Sequence, residues 1–144
     1  MSRINLRNTT GLLAIAASLA FTAFAGVSQA QEPAKSWQTG IHRTDLLKRD
    51  LDVSGREVIQ VLVDIDPGVS SPKHSHPGVE VAYVLEGTFE YQLEGQPPVT
   101  LKAGESLYIP AGTAHVAKNV GTGKASELAT YIVKKGVPAV ELSK

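Results

Sequence analysis

Apolar and polar residues alternate with a period of two along much of the chain after residue 56. In the segment 57–65, EVIQVLVDI, every second residue from Ile59 onward is Ile or Val, which is typical of a strand with one buried face. The turn residues DPG at 66–68 end this segment. The same pattern predicts further strands at 80–85, 88–93, 99–104, 106–110, 114–119 and 126–135.

These predicted strands are short, evenly spaced and separated by turn residues. No segment after residue 30 has the periodicity of a helix of normal length. The pattern therefore predicts an all-β protein, with either a closed barrel or two packed sheets. We place this β domain at residues 51–140 and interpret residues 31–50 as a lead-in segment.

The first 30 residues have a different pattern. Arg3 and Arg7 precede the continuous apolar run 11–27, which ends in Ser28-Gln29-Ala30. This arrangement predicts a secretory signal peptide over residues 1–30, cleaved after Ala30. The alternative is a membrane anchor, but the run is short for a span and rich in Ala, Ser and Gly. We therefore expect a periplasmic or secreted protein that is free of the membrane after processing.

Charge and cysteine content narrow the function classes. Both arginines of the leader leave with it, so the remaining chain carries 12 basic and 14 acidic residues. No basic stripe is present, and we expect no nucleic-acid partner. The chain contains no cysteine, so the exported domain has to be stable without a disulfide.

One short stretch, KHSHPGVE at 73–80, concentrates residues that bind metals. His74 and His76 point to the same side of a strand, and Glu80 has the same parity, although the turn at Pro77-Gly78 interrupts strict counting. Imidazole nitrogens and a carboxylate are suitable ligands for a borderline divalent metal. The alternative is three polar residues on an exposed loop, which the spacing of the two histidines alone would favour.

Two longer segments support the metal interpretation. The stretch GVSSPKHSHPGVEVAYVLEG runs from Gly68 to Gly87, and GESLYIPAGTAHVAKN runs from Gly104 to Asn119. The first matches a glycine, five residues, His-x-His, a short gap, Glu and a glycine. The second matches a glycine, five residues, Pro-x-Gly, two residues, His, three residues and Asn. In both segments the chain resembles the cupin superfamily.

The resemblance implies a small β-barrel of the jelly-roll type. It also implies that His74, His76, Glu80 and His115 bind one divalent ion, which could be Fe, Mn, Ni, Cu or Zn. Open coordination positions on such an ion would admit a small-molecule ligand. Glu80 is also a candidate base. Barrels of this kind commonly pair, so we expect a homodimer.

Two functions follow from the resemblance. The first is a metal-dependent enzyme of the dioxygenase, lyase or isomerase class that acts on a small molecule. The second is a non-catalytic module that binds or senses a metal or small ligand. Cupins perform many unrelated functions, so the fold does not decide between them.

The remaining candidates are single residues. Tyr83, Tyr91 and Tyr108 are candidate acids or bases of the cavity, although parity directs Tyr83 away from Glu80. His42 is interpreted as a surface residue. No arginine or lysine is predicted inside the barrel, which favours a small or aromatic ligand held by the metal and apolar walls.

Overall fold

The computed structural model describes residues 39–143, and these residues form an all-β fold. The predicted signal peptide at 1–30 and the first part of the lead-in lie outside the described residues. Between residues 39 and 143, no helix is long and apolar enough to cross a membrane.

Ten strands build the fold, in two antiparallel sheets. The first sheet has the order β1-β2-β9-β4-β7 and the second has the order β10-β3-β8-β5-β6. Non-consecutive strands are neighbours in both sheets, which is the topology expected of a jelly roll. The strands are β1 (Ile41–Asp50), β2 (Arg56–Ile65), β3 (His74–Ser75), β4 (Gly78–Glu86), β5 (Thr88–Leu93), β6 (Val99–Lys102), β7 (Ser106–Ile109), β8 (His115–Asn119), β9 (Ala125–Lys134) and β10 (Glu141–Leu142).

The core lies between the two sheets and is built by alternation along each strand. In β2, Val61, Val63 and Ile65 are buried, as the period of two predicted. In β5, Phe89, Tyr91 and Leu93 are buried in the same manner. The all-β fold class is therefore confirmed.

The barrel begins earlier than the sequence predicted. Residues 41–50 were interpreted as part of a lead-in, but they form β1 and pair with β2 from Ile41 opposite Ile65 to Asp50 opposite Glu57. Only Ile41 of this strand is buried, and its register shifts between Asp45 and Leu47. An edge strand with this exposure carries no alternating pattern, so periodicity could not detect it.

Asn119 joins the ends of two strands. Its side-chain amide donates to the carbonyl groups of Ile65 and Gly123, both at 2.8 Å, and its Oδ1 accepts from the Gly121 amide at 2.9 Å. The side chain is fully buried. These bonds fix the turn that follows β8 and attach it to the end of β2.

Gly78 permits a very close contact between β4 and β9. A β-carbon at this position would lie 2.1 Å from the Ile132 carbonyl oxygen and 2.7 Å from the Val133 α-carbon. Both atoms belong to the backbone of β9, so the contact could not be relieved by a side-chain rotation. Gly78 thus sets how closely β4, which carries Glu80, approaches β9.

We predict that Gly78→Ala lowers the free energy of unfolding by about 2–3 kcal/mol, because β4 and β9 have to separate. The thermal midpoint should then fall by ~10 °C. Gly123→Ala is the matched control, since a β-carbon there meets no atom within 4 Å and the residue is exposed. Calorimetry of both variants tests the prediction, and equal midpoints for the two would contradict it.

Candidate metal centre

Three histidines from two neighbouring strands meet inside the barrel. His74 in β3 is directly opposite His115 at the start of β8, and His76 follows β3. One ring nitrogen of each lies within 4.8 Å of the others. His76 and His115 are buried, and His74 is half-buried. The predicted histidine cluster is therefore present, and it is able to hold a metal ion.

Backbone carbonyl groups orient all three imidazoles. The Nδ1 atoms of His74, His76 and His115 contact the carbonyl oxygens of Pro72 at 2.8 Å, Ala139 at 2.5 Å and Thr113 at 3.1 Å, respectively. A carbonyl oxygen can only accept, so each Nδ1 carries the hydrogen. The lone pair of each neutral ring is then on Nε2, which is the arrangement found in metal-binding histidines.

Glu80 in β4 completes the group. Its Oε2 lies 2.8 Å from Nε2 of His76 and 3.5 Å from Nε2 of His115. Oε2 of Glu80 and Nε2 of His76 are buried and have no hydrogen-bond partner. With Nδ1 protonated, two acceptors face each other, and a cation or a proton between them is needed to offset their repulsion. The donor set therefore fits a divalent metal, with Glu80 as the predicted fourth ligand.

The protonation states of the cluster residues favour binding of a cation. Burial and the neighbouring His115 lower the pKa of His74 to about 4, so this ring is neutral at pH 7. Burial alone favours the neutral form of Glu80, but its contacts with the His115 and His76 imidazoles outweigh it and lower its pKa to about 2. Burial likewise opposes charge on His115, but the contact with Glu80 prevails and raises the pKa of His115.

The other sequence candidates lie elsewhere, with one exception. Tyr83 and Tyr108 are exposed on the outer surface, and the prediction that Tyr83 points away from Glu80 is confirmed. His42 is exposed, 3.7 Å from Asp66. Tyr91 is buried and lines the same cavity as the histidines.

Three residues of the cavity were missed by the sequence analysis. Glu127 and Tyr131 point inward from β9, where they alternate with outward residues. The alternation in SELATYIVKK indicated that Glu127 and Tyr131 share a face. The two residues were nevertheless interpreted only as part of a strand. Arg43 also lines the cavity, from an exposed position at its opening, and the sequence did not predict a basic residue there. It lies in β1, which the sequence did not predict.

The enclosed part of the cavity measures about 30 Å³, and its mouth is open to solvent. Arg43 is exposed at the opening, and its Cζ lies 5.9 Å from the centre of the Tyr131 ring. Tyr131 in turn packs against His76, with ring centres 4.7 Å apart. The polar lining residues are Arg43, Ser71, His74, Glu80, Tyr91, His115, Glu127 and Tyr131.

A jelly-roll barrel with three histidines directed at one point defines a class of metal-binding β-barrel proteins. The profile of the family described as "Cupin domain" matches residues 61–133, which is half of the chain. The chain therefore belongs to the cupin family.

Two relatives are similar over part of their length. The chain is 33% identical over 57 residues to dimethylsulfoniopropionate lyase DddQ of Ruegeria pomeroyi, covering 40% of this chain and 28% of that protein. It is 34% identical over 74 residues to germin-like protein 1-1 of Oryza sativa subsp. japonica, covering 48% of this chain and 34% of that protein. The chain thus spans about a third of the length of the curated relatives it matches.

Solved structures share the fold. The crystal structure of the R. pomeroyi lyase matches with a TM-score of 0.54 and 26% identity, over 60% of this chain and 43% of that chain. A recombinant oxalate oxidase in complex with glycolate matches with a TM-score of 0.58 and 26% identity, over 74% and 57%. KdgF from Halomonas sp., at 22% identity and a TM-score of 0.58 over 71% and 86%, supports the fold alone.

We predict that metal affinity rises with pH through the range above the ordinary histidine pKa of about 6.5. In the metal-free protein the raised pKa of His115 keeps a proton at the cluster, and the metal has to displace it. Below this pKa, apparent affinity should increase about tenfold per pH unit for each proton displaced. Zinc titration by calorimetry between about pH 6 and 8 measures the slope.

Two variants serve as controls for this titration. His42→Ala removes the histidine that lies outside the cluster and should leave both affinity and slope unchanged. His76→Ala combined with His115→Ala removes two ligands and should abolish tight binding. An affinity that does not depend on pH in the parent protein would contradict the prediction.

Proposed function

We propose that this cupin is a metal-dependent enzyme of the dioxygenase, lyase or isomerase class and that its substrate is a small carboxylate. One observation carries the proposal. The Nε2 atoms of three histidines and the Glu80 carboxylate are directed at one point, in a cavity that Arg43 borders. A divalent ion held there supplies Lewis-acid polarisation of a bound oxygen.

The charge of the loaded cavity supports an anionic ligand. A divalent ion contributes two positive charges and Arg43 one, whereas Glu80 and an ionised Glu127 each remove one. With neutral imidazoles, one net positive charge is left, and a small monoanion neutralises it. Protonation of Glu127 leaves two, which suits a dianion.

Each wall of the cavity has a distinct part in binding. Arg43 attracts a carboxylate toward the opening, since its guanidinium is always charged. The apolar residues Val63, Ile65 and Ala117 exclude water from the interior. Tyr131 packs on His76 and so keeps that ring in position. This arrangement holds one end of a short ligand at the histidine cluster and the other near the opening.

The partial relatives act on or bind small carboxylates according to their names. One is a dimethylsulfoniopropionate lyase, and another is an oxalate oxidase in complex with glycolate. Because the matches cover less than two thirds of those proteins, we take from them only the substrate class. We further propose that the protein works outside the cytoplasm, after removal of residues 1–30.

We predict that the protein loaded with Zn²⁺, Mn²⁺, Fe²⁺, Ni²⁺ or Cu²⁺ binds oxalate or glycolate, and that binding depends on Arg43. Arg43→Gln should weaken binding about fivefold, the effect of losing ~1 kcal/mol from an exposed charge pair. Calorimetry measures the dissociation constant. Arg49→Gln is the matched control, because Arg49 lies on the same strand and does not line the cavity.

Turnover decides between an enzyme and a binding module. Each metal-loaded form is incubated with a panel of small carboxylates, and oxygen uptake and product formation are followed. Binding without conversion by any metal form would support the non-catalytic alternative. Tight metal binding without affinity for any carboxylate would contradict the proposed substrate class.

A further inference from the structure

A second buried carboxylate faces the cavity that holds the histidine cluster. Glu127 lies on the inner face of β9, two residues before Ala129 and four before Tyr131, and only 5% of it is exposed. The Tyr91 hydroxyl of β5 donates a hydrogen bond to its Oε2. Both residues line the cavity together with His74, His115 and Glu80.

The surroundings of Glu127 differ from those of the other buried carboxylates. Glu57 lies at a different position in the barrel with its Oε2 3.3 Å from the Lys48 ammonium, and Glu80 contacts two imidazoles. Within residues 39–143, no cationic side chain forms an ion pair with Glu127. Ionisation of a buried carboxyl group without a neighbouring cation costs free energy. Glu127 is such a group, and it lies beside the candidate metal centre.

The groups facing Glu127 set its proton affinity near neutrality. Burial, followed by repulsion from Glu80 of β4, raises the pKa of Glu127 to about 7. The Tyr91 hydrogen bond, His115 of β8 and Arg43 of β1 act in the opposite direction. A group with this proton affinity exchanges protons readily at neutral pH.

We propose, building on the metal-dependent function above, that Glu127 is a catalytic base and acid that removes a proton from carbon next to a carbonyl group of the bound substrate and returns it. Tyr91 is its positioning residue. Glu80 is directed at the histidine nitrogens, whereas Glu127 borders the cavity and is held through Oε2 by Tyr91. The two carboxylates thus have separate tasks.

The step balances without another reactant. A carbon–hydrogen bond of the ligand breaks, the proton moves to Glu127, and the electron pair moves to the carbonyl oxygen as an enolate forms. The reverse step returns a proton from Glu127 to carbon. In heavy water the returned particle is a deuteron, so exchange reports the step even when the natural substrate is unknown.

The experiment uses pyruvate as the probe and the zinc-loaded, processed protein. Loss of the methyl proton signal in heavy water is followed by NMR. We expect exchange well above that caused by the same concentration of free Zn²⁺, and a decrease of about a hundredfold in Glu127→Gln. Glu57→Gln, which changes another buried carboxylate away from the cavity, should exchange at the parent rate. Zinc content and circular dichroism verify that each variant is folded.

A second measurement avoids both metal and turnover. Carbon-13 NMR of the glutamate carboxyl groups in the metal-free protein gives the pKa of Glu127. It should lie well above that of exposed glutamates, and Tyr91→Phe should raise it further because the donor that stabilises the ionised form is lost. An ordinary carboxyl pKa for Glu127 would overturn the proposal.

The outcomes separate this inference from the proposed function. If pyruvate binds to the zinc-loaded protein but Glu127→Gln exchanges as fast as the parent, the role of Glu127 is wrong and the carboxylate-binding function stands. If pyruvate fails to bind but oxalate or glycolate binds, the role of Glu127 at carbon is overturned and the carboxylate-binding function stands. If none of the three binds, both the substrate class and the role of Glu127 fail.

Discussion

The buried contact between the Glu80 carboxylate and the histidine nitrogens is the constraint on which the site depends. Three Nδ1–H groups are committed to backbone carbonyls, so three Nε2 lone pairs and a carboxylate oxygen are directed at one another. Groups arranged in this way repel unless a cation or a proton lies among them. This repulsion lowers the free energy of unfolding of the metal-free protein. Binding of a metal removes the repulsion and stabilises the fold.

Two of the carbonyls that orient the rings are local, and the third comes from a distant part of the chain. Pro72 and Thr113 precede their histidines by two residues, so their contacts are local. Ala139 reaches His76 from the segment before β10, across 63 residues of sequence. β10 then pairs with β3, placing Leu142 opposite His74. The C-terminal strand thus contributes to the metal centre although it carries no ligand.

Two buried carboxylates of the same cavity have opposite electrostatic environments. Imidazole contacts lower the pKa of Glu80 to about 2, and burial raises that of Glu127 to about 7. Separated proton affinities of this kind allow one carboxylate to hold a charge while the other exchanges a proton. The difference arises from the neighbours that the two strands provide, since β4 presents Glu80 to histidines and β9 presents Glu127 to a tyrosine.

The sequence by itself determined the all-β architecture and the histidine cluster. Alternation along 57–65 and 126–135 follows from burial of one face of each strand, which is a local property of the chain. The spacing of His74, His76 and His115 within two glycine-bounded segments is equally local. Only the tertiary structure decided that β1 belongs to the barrel, that Arg43 borders the cavity, and that Glu127 and Tyr91 meet inside it. These features depend on which strands become neighbours, and pairing between distant strands leaves no pattern along a single strand.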